Sequence, residues 1–100
     1  MIQGTTPTHV FYVNADLRGA KVYVTYKQGD RIIEKTNNDI IVHADSLIVP
    51  LNQGDTMIFD DNKPIKIQIR YVKKSGESSA SQIMMTDIQS ILKKGVISYE

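Results

Sequence analysis

Residues 65–71, Ile65-Lys66-Ile67-Gln68-Ile69-Arg70-Tyr71, alternate apolar and polar side chains without a break. A strand turns successive side chains to opposite faces. Ile65, Ile67, Ile69 and Tyr71 therefore face one side, and Lys66, Gln68 and Arg70 face water. This is the pattern of a half-buried antiparallel strand. The preceding Asp60-Asp61-Asn62-Lys63-Pro64 reads as a turn, because Asp and Asn side chains bond nearby backbone N–H groups and proline has no donor.

The same rhythm, more weakly, covers the rest of the chain. Upstream, Thr8 to Val13 is a strand rich in aromatic and β-branched residues. Ala20 to Lys27 follows, with Val22, Val24 and Tyr26 on one face and Lys21, Tyr23, Thr25 and Lys27 on the other. Gln28-Gly29-Asp30 turns into Arg31 to Lys35. Ile40 to His43 and Leu47 to Pro50 form a further hairpin. Leu51 to Thr56 breaks the alternation and reads as one helical turn or a tight corner between sheets. Downstream, Lys73 to Glu77 is a polar turn and Ser79 to Asp87 the return strand. Ile88, Ile91 and Leu92 fit either a continued strand or a helical turn. Seven to eight short strands with regular turn signals predict an all-β antiparallel sandwich or barrel. The domain spans residues 1–100, with loose ends at about residues 1–6 and 96–100.

Composition bounds the function classes. Twelve basic and 11 acidic residues leave a net charge of +1, so nothing pulls the chain toward nucleic acid or an anionic membrane. There is no cysteine, which excludes a disulfide framework, a thiol nucleophile and a cysteine-ligated zinc. No apolar run approaches the roughly 20 residues of a membrane-spanning helix. The first residues lack the basic start and apolar stretch of a signal peptide. The expected place of synthesis is the cytoplasm.

No constellation points to catalysis. His9 and His43 are the two imidazoles, and they read as strand histidines rather than a metal pair or a general base. Asp55, Asp60, Asp61 and Asn62 lack the register of a calcium loop. Asp39, Asp45, Asp55 and Asp60 all fall in turns, and nothing selects two of them as a glycosidase pair. Ser75, Ser78, Ser79 and Ser81 crowd a polar hairpin without a nucleophile elbow. We expect no enzyme activity, no metal and no cofactor. The candidate partner-binding residues are Thr8, Val10 and Tyr12 of the first strand and Tyr23 and Thr25 of the second. A carbohydrate-binding β-sandwich module is the alternative, and it requires Tyr12, Tyr23, Tyr26 and Tyr71 to line one exposed face.

Four stretches together resemble a known group. They are Ile2-Gln3-Gly4-Thr5-Thr6-Pro7-Thr8-His9, the corner Leu51-Asn52-Gln53-Gly54-Asp55-Thr56, the strand Pro64 to Arg70, and Ile91-Leu92-Lys93-Lys94-Gly95-Val96-Ile97. This order resembles a family of small structural proteins of tailed phages and prophages in Gram-positive bacteria. The middle is similar to the N-terminal Ig-like domain of phage upper-baseplate proteins. There a strand after Leu-x-Gly-Ala, here Leu17-Arg18-Gly19-Ala20, leads on to a Leu-x-x-x-Asp-Thr corner. The resemblance covers nearly the whole chain, and its motifs are short. It departs where a baseplate protein continues into a stalk or receptor-binding part, so a free-standing module is expected. The resemblance implies an all-β, Ig-like antiparallel β-sandwich of seven to eight short strands, and a virion structural or assembly role in tail, baseplate or head decoration for a protein made in the host bacterial cytoplasm. The partners would be other virion proteins, with a homo-oligomer as a further possibility, no nucleic acid and no membrane. It carries over no catalytic residue.

Overall fold

The computed structural model describes residues 1–99. Its elements run β1 (Thr8–Tyr12), β2 (Lys21–Gln28), β3 (Arg31–Thr36), β4 (Ile41–Val42), β5 (Ser46–Pro50), α1 (Gln53–Met57), β6 (Ile65–Val72), β7 (Ser78–Ala80) and β8 (Met84–Thr86). The strands form two antiparallel sheets. One has the order β1-β5-β4; the other has the order β3-β2-β6-β7, with β8 also paired to β6. The described residues form an all-β sandwich of eight short strands. In immunoglobulin lettering the sheets read B-E-D and C′-C-F-G.

The core is made by the alternation that the sequence displays. Val22, Val24 and Tyr26 of β2 and Ile65, Ile67 and Ile69 of β6 point inward from the larger sheet. Leu47 and Val49 of β5 meet them from the smaller one, and Leu17, Leu51 and Phe59 close the ends. Tyr71 is half-buried and packs on this cluster. Burying a large apolar side chain stabilises by about 1.5–3 kcal/mol, so this shared layer is what holds the sheets face to face.

The corner after β5 is a capped helical turn. The Asn52 side chain accepts from the Asp55 N–H at 2.8 Å, and the Asp55 carboxylate accepts from the Asn52 N–H at 2.9 Å. Asp55 also ion-pairs with Lys35 of β3 at 2.8 Å, both largely covered. Lys35 stands opposite Val24 and so lies on the inner face. This pair ties the edge of the larger sheet to the corner.

Two places differ from the sequence reading. The return strand is not continuous. β7 pairs with β6 with Arg70 opposite Ala80, whereas β8 pairs with Ile67 opposite Met84. Three residues, 81–83, thus face two, 68 and 69, which is a β-bulge. Ser81 makes it possible: its N–H donates to the Ile69 carbonyl at 2.7 Å, and its hydroxyl accepts from the Ile69 N–H at 3.0 Å. The N-terminal segment, expected to be loose, is tied down at residues 1–3. Ile2 forms a parallel bridge with Gln89, and Gln3 is buried. The Gln3 amide donates to the Phe59 carbonyl and accepts from Lys94 Nζ. The tail described through residue 99 is exposed, and Ile97 exchanges both backbone groups with the Gln53 amide, at 2.8 and 2.9 Å. Glu100, part of the expected loose end, lies outside the described residues.

Candidate functional site

β1 positions the first group of candidates. Its burial alternates, with His9 and Phe11 turned inward and Thr8, Val10 and Tyr12 outward. Val10 is opposite Ile48 of β5, and Ile48 is opposite Ile41 of β4. One rung of the smaller sheet therefore carries three aliphatic side chains across its outer face. Val10 is 49% exposed, Ile41 54% and Tyr12, one rung along, 83%. An aligned apolar row of this kind is what a protein partner covers.

Among the described residues β1 is also an open edge. β5 is the strand paired with it. The Pro7 carbonyl accepts from Leu51 N–H and the Val13 N–H donates to Asp45, so odd-numbered residues point their backbone groups at β5. In an antiparallel ladder the even-numbered residues then point away. The N–H and C=O groups of Thr8, Val10 and Tyr12 thus face the free side. In an Ig-like sheet strand A would lie there. Here the N-terminal segment pairs instead beside β8, at Gln89. A slot of about 560 Å³ opens along the upper part of this edge, lined by Phe11, Val13, Ile69, Tyr71 and Met84 among others.

Tyr23 and Thr25 lie on the outer face of the other sheet, so the five candidates make two surfaces on opposite sides of the sandwich. This second face is basic. Lys27 stands directly opposite Lys66, and Tyr23 opposite Arg70. None of Lys27, Lys66 and Arg70 has an acidic partner among the described residues.

The titratable groups are structural in placement. His9 Nδ1 and the Tyr26 hydroxyl share a hydrogen bond at 2.7 Å between the two sheets, with the rings stacked at 5.6 Å. Burial, and then the N-terminal ammonium, hold the His9 imidazole below its ordinary value. Burial, and then the Asp55 carboxylate, push the Tyr26 phenol up. His43 is exposed in the turn after β4, and β5 separates that strand from β1. Asp60 and its neighbours act as turn chemistry. Gln28, nearly fully buried, donates to the Asp60 and Lys63 carbonyls and accepts from the Asp60 N–H, each at 2.7 Å. Among the described residues no three His, Asp or Glu side chains gather as metal ligands. No helix among them is long and apolar enough to cross a membrane.

The tyrosines do not share a face. Tyr26 is in the core, Tyr71 packs on it, and Tyr12 and Tyr23 lie on opposite outer faces. This leaves the carbohydrate reading without the aromatic platform it requires. Ile41 and Ile48 complete the apolar row but were not among the sequence candidates. The β4–β5 pairing register brings them to Val10, and no local pattern announces it. No family model, curated protein or solved structure matches the chain.

Proposed function

We propose that this chain is a structural or assembly protein of a tailed-phage or prophage virion, working by protein–protein interaction without catalysis. The observation that carries the reading is the exposed apolar row Val10–Ile48–Ile41 with Tyr12, on a sheet whose edge is open. Covering such a row releases water from apolar surface at about 25 cal/mol per Å². The neighbouring edge supplies unpaired main-chain groups that give the contact direction. The resemblance of residues 2–9, 51–56, 64–70 and 91–97 to phage proteins supplies the virion context.

The test is incorporation into particles. Particles released by an induced strain carrying the gene should contain the chain at fixed stoichiometry by mass spectrometry. Val10→Asp and Ile41→Asp should abolish incorporation. Because both positions are exposed, each should change stability by no more than about 0.5 kcal/mol. Absence of the wild-type chain from the particles, or genes of unrelated function around it, would overturn the reading.

A further inference from the structure

We propose that the open edge of β1 takes up the C-terminal arm of a second copy of this chain as an added strand. The inference deepens the assembly reading and rests on it for the premise that this edge is a contact surface. Two separate observations carry it. The first is the template: a five-residue edge with the backbone groups of Thr8, Val10 and Tyr12 turned outward, beside the 560 Å³ slot. The second is the arm, Val96-Ile97-Ser98-Tyr99, β-branched and aromatic, with Ile97 77% and Tyr99 105% exposed. Val96, Ile97 and Tyr99 are exposed and lie outside the strands, and β-branched and aromatic residues of this kind suit a strand.

The two pieces match in length and in pattern. Four residues at about 3.3 Å each span roughly 13 Å, within the roughly 17 Å of a five-residue edge. In an added strand Ile97 and Tyr99 share one face. Turned inward, they would fill the slot against Phe11, Ile69, Tyr71 and Met84. The arm already pairs its backbone in a strand-like way, since Ile97 exchanges both groups with one side-chain amide, that of Gln53. A β-edge offers the same exchange at alternate positions, here Thr8, Val10 and Tyr12.

The arm of the same copy leaves at the wrong end. Thr86 is opposite Ile65 at the start of β6, and the chain then passes Gln3 and reaches α1. α1 adjoins the Pro7 end of β1. The slot opens instead toward Tyr71, Ser79 and Ala15, at the other end of the sandwich. The arm therefore reaches the slot of a second copy rather than its own, either reciprocally in a closed pair or onward into a ring or filament.

The chain has no cysteine, so introduced ones report cleanly. Val10→Cys and Val96→Cys proteins, whose side chains share the outer face when Ile97 and Tyr99 turn inward, should on mixing and oxidation give a disulfide-linked pair that neither forms alone. Cross-linking of Val10→Cys with itself in place of this pair would assign the edge to β1–β1 pairing and overturn the proposal. Light scattering should show a concentration-dependent mass that falls to the monomer when the chain is cut before Val96; an unchanged distribution would also overturn it. Particle incorporation reads out separately. A chain present in particles but monomeric and uncross-linked fails this inference and keeps the assembly reading, and a chain that cross-links in this pair but is absent from particles does the reverse.

Discussion

At the scale of single residues, side-chain amides and hydroxyls stand in for backbone. Gln28 grips the 60–63 turn through three hydrogen bonds, and Asn37 does the same for β2. Its oxygen accepts from Val22 N–H at 2.7 Å and its nitrogen donates to the Ala20 carbonyl at 3.0 Å. An amide carries the same donor and acceptor as a peptide, so it can close a ladder where no strand is available. Gln28→Leu leaves several of these groups buried without partners and should cost about 2–4 kcal/mol in denaturant unfolding. Arg31→Gln, which removes an exposed ion pair to Asp60, should cost under about 1 kcal/mol. None of this is legible beforehand: a glutamine at the end of a strand reads as a solvated turn residue until the fold brings residue 60 beside it. The His9–Tyr26 pair belongs here too. Because the folded imidazole has a lowered pKa, the unfolded chain binds more protons below about 6.5. Stability should therefore fall as pH drops from about 7 toward 5. His9→Gln should flatten that slope in thermal melts, and Tyr26→Phe should cost about 1–2 kcal/mol at neutral pH.

At the scale of elements, β2 and β6 were readable because their side-chain period is two and one face is fully covered. Val22, Val24, Tyr26, Ile65, Ile67 and Ile69 fall where the alternation puts them. The return strand was not. Its alternation is broken at Ser81-Gln82-Ile83, and a one-residue insertion in the pairing looks in sequence like an ordinary polar strand. The bulge rests on the Ser81 hydroxyl. Ser81→Ala removes the acceptor of the buried Ile69 N–H and should destabilise by about 1–2 kcal/mol. Amide exchange at Ile69 should quicken more than at Val24 in the neighbouring strand. No such selective change would mean that water replaces the hydroxyl and that the bulge stands without it.

At the scale of the whole molecule, the N-terminal segment, the 57–59 corner and the chain beyond β8 meet at Gln3, which bonds Phe59 and Lys94 from positions 56 and 91 residues away. Gln3→Ala should cost about 1–3 kcal/mol by leaving the Phe59 carbonyl unsatisfied, and should hasten proteolysis between residues 87 and 95. Unchanged cleavage would show that the Ile2–Gln89 bridge holds the segment by itself. The candidate site illustrates the same dependence on long-range contact. Thr8, Val10 and Tyr12 could be picked out from one strand, but their union with Ile48 and Ile41 required the smaller sheet to assemble. Tyr23 and Thr25 fell on the opposite face because β1 and β2 belong to different sheets. The amino-acid sequence by itself determined the all-β class, the inward faces of β2 and β6, and the break in alternation at Leu51 to Thr56, since each follows from short-range periodicity. The tertiary structure alone decided which strands are neighbours, which edge stays open and where the arm leaves. Those depend on contacts between residues far apart in the chain, and no local period encodes them.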